Sequence, residues 1–165
     1  MHNGHQRAMA LSYACPSPVN SLVPNVTATG TATVHIGSVN GTVPVSAAAA
    51  GAIRVPNGQT TQTVLPVFDC SSGTCNPVPI AIDNQSTVYV SLYGTGLRGA
   101  AASSVTCTVG GVPAPVTYAG PQGGFPDLDQ VNISIPAALR GRGEVGVVVS
   151  ASGQTSNAVR LAFGG

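Results

Sequence analysis

The 165-residue chain has no tryptophan and no lysine, and it is short of charge of either sign. Six arginines stand against five acids, so charged residues are 7% of the chain, where an ordinary soluble domain carries roughly a quarter. A net charge of +1 on scattered arginines makes no basic patch, which excludes nucleic-acid binding through phosphate neutralisation. It also excludes disorder driven by charge repulsion. No apolar run approaches the roughly 18 residues of a membrane-spanning helix. Glycine (21) and proline (13) are plentiful, but no G-X-Y period links them, so a collagen-like triple helix is excluded. Aromatic residues are few: Phe68, Phe125, Phe163, Tyr13, Tyr89, Tyr93 and Tyr118. The length suffices for one or two small domains and one hydrophobic core.

The N-terminus carries no legible secretory signal. Residues 1–7 are polar and residues 8–15 are short and weakly apolar. A lipobox over residues 11–15 fails, because Ser12 stands where leucine is wanted. The start reads as a processed end or a shortened reading frame. Four cysteines are present, Cys15, Cys70, Cys75 and Cys107. Small turn-forming residues separate Cys70 from Cys75, and such a loop brings its ends within disulfide reach. A bridge across so short a loop stabilises by roughly 2 kcal/mol through chain entropy. Free thiols are the other reading. A metal site has the weakest case, since zinc takes four N or S ligands and His2, His5 and His35 lie far away in sequence. Cys107 alternates with Val105 and Val109 and reads as a small buried hydrophobe. A Cys70–Cys75 disulfide points to an extracellular or cell-surface location.

The strongest pattern is period-two alternation of β-branched residues, broken by glycine, proline and asparagine. It predicts strands over 31–36, 42–46, 52–55, 63–68, 78–82, 87–93, 104–109, 114–118, 130–135, 144–151 and 158–163. Asn40-Gly41, Asn57-Gly58, Gly110-Gly111 and Ser152-Gly153 supply turn chemistry. Only Pro136 to Leu139 reads as a helical turn, with Pro at its first position. The Ala47–Ala50 run has helical propensity, but Gly51 cuts it short. Many short strands and almost no helix predict an all-β sandwich or barrel. The inward residues are Val88, Val90 and Leu92; Val105, Cys107 and Val109; Val131, Ile133 and Ile135; Val145, Val147 and Val149; and Val159, Leu161 and Phe163. Tyr89, Ser91 and Tyr93 share the opposite face. The expected organisation is a polar, strand-prone segment over 1–45, a β-rich lead-in over 46–83 with the Cys70–Cys75 loop, and a sandwich over 84–165.

The motifs Tyr93-Gly-Thr-Gly-Leu-Arg98, Val105-Thr-Cys-Thr-Val-Gly-Gly-Val-Pro-Ala-Pro-Val-Thr-Tyr-Ala-Gly-Pro-Gln122, Phe125-Pro-Asp-Leu-Asp-Gln-Val-Asn132, Leu139-Arg-Gly-Arg-Gly-Glu-Val145 and Gly153-Gln-Thr-Ser-Asn157 resemble the uncharacterised C-terminal domain of secreted acidobacterial proteins. That domain is similar, more distantly, to the IPT/TIG immunoglobulin-like fold. Leu65-Pro-Val-Phe-Asp-Cys70, Cys75 and Pro79-Ile-Ala-Ile82 extend the resemblance upstream, so it covers about residues 46–163. It implies an immunoglobulin-like β-sandwich module at the end of exported, often multidomain proteins, with no catalytic residue or ligand to carry over. Asp127 stands where that pattern expects glycine, and Cys107 where it expects Val or Thr. The second departure implies either an extra thiol or a bridge from Cys107 to Cys15.

Chemistry is thinly represented. Asp127 and Asp129 are too few for a calcium shell of 6–8 oxygens, and hydrogen bonding to loop amides suits them better. Nucleophilic catalysis wants a nucleophile beside a base, but the three histidines all lie in the first 35 residues. Gly37 to Gly41 is not a nucleophile elbow. Gly120 to Gly124 has no lysine or following helix to make a phosphate cradle. Arg140, Arg142 and Glu144 read as a solvated turn. The chain is therefore expected to be no enzyme and to need no metal or cofactor. Tyr89 and Tyr93 form a candidate binding face, since tyrosine stacks on sugars or proteins at little entropic cost. The plainer expectation is that residues 46–82 cover that face as an added layer or strand, because Leu65, Val67, Phe68, Ile80 and Ile82 need a surface to pack on. The expected role is a secreted or cell-surface module for protein interaction or spacing. Two alternatives are a self-assembling filament subunit working by strand addition and a carbohydrate-binding accessory module.

Overall fold

Alternating side chains demand a backbone that shows its two faces to different surroundings, and the chain meets that demand with strands alone. A computed structural model describes residues 6–14, 19–24, 27–52, 65 and 67–165. The strands among these residues are β1 (Ala10–Ala14), β2 (Val19–Leu22), β3 (Gly30–Ile36), β4 (Val39–Val45), β5 (Gly51–Ala52), β6 (Phe68–Asp69), β7 (Asn76–Pro77), β8 (Tyr89–Thr95), β9 (Val105–Val109), β10 (Val112–Ala114), β11 (Val116–Pro121), β12 (Asp129–Ser134), β13 (Gly143–Ala151), β14 (Gln154–Thr155) and β15 (Val159–Phe163). Two short 3-10 turns, Ala102–Ser104 and Ala137–Leu139, complete the regular structure.

Two larger sheets hold the core, both antiparallel. One runs β10-β9-β13, with β15 and β14 sharing the far edge of β13. The other runs β11-β12-β8-β5. Register places the inward residues in line: Val147 opposite Val109, Val149 opposite Cys107, Val131 opposite Leu92 and Ile133 opposite Val90. One hydrophobic cluster joins the sheets, with Leu92, Val131 and Ile133 from one and Val109, Val147, Val159, Leu161 and Phe163 from the other. This is consistent with a β-sandwich. At roughly 1.5–3 kcal/mol for each fully buried aliphatic side chain, such a core offsets much of the chain's ordering entropy. Burial alternates strictly along β9, β12 and β15, as the pattern requires.

The turns between neighbouring strands are local events. Gly110 and Gly111, both at positive φ, close β9 onto β10, and Ser152-Gly153 closes β13 onto β14. Asn40-Gly41 does not turn the chain. It lies inside β4, because Gly37 (φ 59°) takes the first turn position and sets Ile36 opposite Val39. Asn57-Gly58 lies outside the described residues.

Several strand boundaries differ from expectation. Residues 78–82 form no strand. Ile80 instead makes one parallel bridge to Phe163, with its N–H donating to the Ala162 carbonyl at 2.7 Å. The predicted 114–118 strand is two strands, β10 and β11. Of the predicted 63–68 strand only Phe68 is in a strand, and residues 63, 64 and 66 lie outside the described residues. The same holds for residues 53–55 after β5. The hairpin of β1 and β2 was not predicted, because its residues show no clean alternation. Ala47–Ala50 is not helical; the Ala49 N–H donates to the Gly96 carbonyl at 2.8 Å. Pro136 precedes its 3-10 turn in extended conformation rather than opening it. The described core residues begin at Ala48, so the described residues before position 46 add none to it.

Candidate functional site

Cys70 and Cys75 are bonded to each other, with Cα atoms 4.1 Å apart. The bridge closes the turn between β6 and β7, where Asp69 Oδ1 accepts the Ser71 N–H at 2.9 Å. Hydrogen bonds from Ser71 hold the Asp69 carboxyl below its ordinary 3.8. Cys107 is a free, buried thiol, and burial pushes it up to about 12. Cys15 lies outside the described residues.

Tyr89 and Tyr93 do share a face, the outer face of the β11-β12-β8-β5 sheet, and it is open. Tyr89 is 63% exposed and Tyr93 44%. Of the added layer or strand expected from residues 46–82, the described residues supply a strand and no layer; residues 53–64 and 66 lie outside the described residues. The lead-in does add a strand, since β5 pairs with the end of β8 (Gly51 opposite Thr95). Its apolar residues go elsewhere: Ile80 and Ile82 enter the core, and Leu65 and Val67 pack against it. They follow the free edge of β15, where the Leu65 N–H donates to the Arg160 carbonyl at 2.7 Å. The physical reason is that β15 offers both a backbone edge and apolar side chains, whereas the tyrosine face offers polar neighbours.

Those neighbours come from β12. Register sets Gln130 beside Tyr93, Asn132 beside Ser91 and Ser134 beside Tyr89. Asn132 Oδ1 accepts from the Ser91 hydroxyl at 2.9 Å and from Gln130 Nε2 at 2.7 Å. A third tyrosine joins from β11. Strict alternation would put Val116 and Tyr118 on one side, but a bulge at Thr117 intervenes. Val116 then faces Ile133 and the core, while Tyr118 sits beside Asn132 on the outside, 42% exposed. The Tyr118 hydroxyl donates to the Pro121 carbonyl at 2.7 Å. Its ring thereby lies over Gly120, where an added Cβ would stand 3.0 Å from the hydroxyl oxygen.

Comparison with protein-family models, with curated proteins and with solved structures gives no match.

Asp129 is the buried acid, 1% exposed. Its Oδ2 accepts the Leu97 N–H at 2.7 Å and the Arg98 N–H at 3.2 Å, and its Oδ1 accepts Arg98 Nε at 2.6 Å. The rest of the guanidinium donates to the carbonyls of Pro126 and Leu128. Arg98 and Asp129 thus clamp the end of β8 to the 122–128 loop, and the amide-binding role read for the acidic pair is the one Asp129 performs. Among the described residues no three His, Cys, Asp or Glu side chains group as metal ligands.

Arg140, Arg142 and Glu144 are exposed and point to different partners. Arg140 donates to Asn84 Oδ1 at 2.6 Å, and Glu144 lies 3.8 Å from Arg160. Ser86 and Gln85 cap Asp83 beside them and lower its pKa below 3.8, the Ser86 hydroxyl contributing most. A small apolar crevice by Leu92, Leu97 and Val149 has only about 10 Å³ open to a water-sized sphere, room for one water. No described helix is long and apolar enough to cross a membrane, which says nothing of strands.

Sequence reasoning found Tyr89, Ser91 and Tyr93 but missed Tyr118 and the pairing of β12 against β8. The outward positions of Asn132 and Ser134 were legible; their neighbours were not. No sequence signal marks the bulge at Thr117.

Proposed function

We propose that the chain is a non-catalytic, exported module, an immunoglobulin-like β-sandwich of the IPT/TIG kind, that works by binding through the outer face of the β11-β12-β8-β5 sheet. The observation that carries this reading is the open, uncharged face bearing Tyr89, Tyr93 and Tyr118. Large side chains with a hydroxyl tip are costly to leave in water without a use, and they bind with little loss of entropy. The motif resemblance over 46–163 supports the immunoglobulin-like type. The Cys70–Cys75 bridge supports export, since disulfides persist in oxidising compartments.

A second reading, the filament subunit, is favoured by one observation. The β3–β4 hairpin is exposed on nearly every residue, including Ile36 at 52% and Val39 at 70%. A two-stranded hairpin is marginal alone and pairs readily with a neighbour.

Light scattering and electron microscopy over a range of concentrations separate the two. A stable monomer supports the module; fibres that grow with concentration overturn it in favour of the filament. Alkylation and mass spectrometry of protein from the producing cells test export: Cys70 and Cys75 blocked in the extracellular fraction support it, and the same cysteines found reduced inside the cell overturn it.

A further inference from the structure

Resting on the module reading, we infer that the outer face of the β11-β12-β8-β5 sheet is a binding site for a segment of uncharged polysaccharide laid along β12.

The relief of the face carries the argument. Along β12 run Gln130, Asn132 and Ser134, short side chains that are half-buried. Tyr89 and Tyr93 stand on one side on β8, and Tyr118 lies along the other, folded over Gly120 of β11 with its hydroxyl on the Pro121 carbonyl. With strands about 4.8 Å apart, the two aromatic flanks stand about 10 Å from each other. Tyr89 and Tyr93, four residues apart, are about 13 Å apart along the strand. The result is a shallow trough with an amide and hydroxyl floor and aromatic sides. It is longer than one sugar ring, so a chain of rings is needed to reach both ends.

The floor is set for a ligand that both donates and accepts. Asn132 Oδ1 is occupied by Ser91 and Gln130, which fixes both amides in orientation. Asn132 Nδ2 and Gln130 Oε1 have no hydrogen bond to a described residue, which leaves the floor one amide donor group and one amide acceptor for a ligand. Sugar hydroxyls satisfy both kinds, and the apolar faces of sugar rings stack on tyrosine.

Charge and layout set this ligand apart from others. No outward residue of β8, β11 or β12 is charged, so among the described residues these strands offer no counter-charge to an acidic or basic polymer. A protein interface places its aromatic anchors in a dry centre and its polar groups at the rim. Here the order is reversed, with the polar groups central and the aromatics flanking.

The test is affinity gel electrophoresis of the full chain in hydroxyethylcellulose, wheat arabinoxylan and galactomannan, with pectin and chitosan as charged controls. Retardation by at least one uncharged polymer is expected, unchanged in 1 M NaCl. The exposed double substitution Tyr89→Ala/Tyr93→Ala should weaken it by about tenfold or more, the loss of at least 1.4 kcal/mol of stacking. Gln130→Ala, which removes a floor group and no aromatic, should weaken it as well. Thermal melts of both variants establish that the fold is kept. No retardation by any uncharged polymer, with the protein folded and monomeric, overturns the inference and leaves the face to a protein partner, while the module reading stands. Retardation only by pectin or chitosan, or retardation that both variants retain, also overturns it. Fibre formation would instead sink the module reading itself.

Discussion

At the scale of single residues, two buried polar groups behave in opposite ways. Asp129 is satisfied in the interior because three donors converge on it, one from a guanidinium 2.6 Å away. Removing Asp129 leaves the part-buried Arg98 guanidinium with carbonyl partners but no counter-charge, and the Leu97 and Arg98 amides without their acceptor, which is worse than never having had the pair. Asp129→Ala should therefore lower stability by about 3 kcal/mol, at the low end of the usual range because Arg98 is 20% exposed. Urea unfolding checks this. Cys107 has no such partner, and burial raises its pKa from 9.0 to about 12. Two consequences follow from the sign of that shift. The thiol stays protonated in the fold at pH 8–9, so iodoacetamide should label it only after unfolding. The stability linked to it is fully present below pH 9.0 and is lost as pH rises toward about 12, because the unfolded chain releases the proton first. Cys107→Ala should flatten that alkaline loss, seen in melting temperatures between pH 8 and 11.

At the scale of elements, the two glycines of the β9–β10 turn look alike in sequence and differ in surroundings. Both have positive φ (57° and 77°), as a tight hairpin needs. A Cβ on Gly111 would meet open space, while one on Gly110 would stand 3.2 Å from Val145 Cβ. Gly111→Ala should cost about 1–2 kcal/mol for the left-handed backbone alone. Gly110→Ala should cost more, since Val145 must also move, and chemical denaturation of the pair measures the difference. The β3–β4 hairpin gives the opposite lesson. Its alternation predicts strands correctly, yet its apolar Ile36, Val39 and Val43 are exposed. Alternation specifies that a strand has two faces, not that something covers one of them. The bulge at Thr117 is the other limit, because one extra residue reverses the side on which Tyr118 emerges.

At the scale of the whole molecule, the lead-in is held by close backbone approach. A Cβ on Gly99 would come within 2.1 Å of the Ala47 carbonyl oxygen, and one on Gly96 equally close to that of Ala49. Only a residue without a side chain lets these segments meet. Gly99→Ala should push residues 47–49 away, expose Ala48 and weaken the Ala49 N–H bond to Gly96. Hydrogen exchange should then show the Ala49 amide losing protection while the β12 and β13 amides keep theirs. The Cys70–Cys75 bridge is local by comparison. It spans five positions in an exposed turn, so its reduction should cost roughly 2 kcal/mol and leave both large sheets folded. Circular dichroism with and without reductant checks this.

The sequence by itself determined the strands of the C-terminal half, the side on which most of their residues emerge, the two glycine-containing hairpins that follow β9 and β13, and the closeness of Cys70 to Cys75. All of these depend on residues a few positions apart, where backbone geometry alone decides. The tertiary structure decided what lies beside what. It placed Asn132 next to Ser91, Asp129 under Arg98, the described apolar residues of the lead-in along β15, and Tyr89, Tyr93 and Tyr118 on an exposed face. Those outcomes turn on strand pairing and on competition between surfaces for the same apolar segment, quantities that no local pattern encodes.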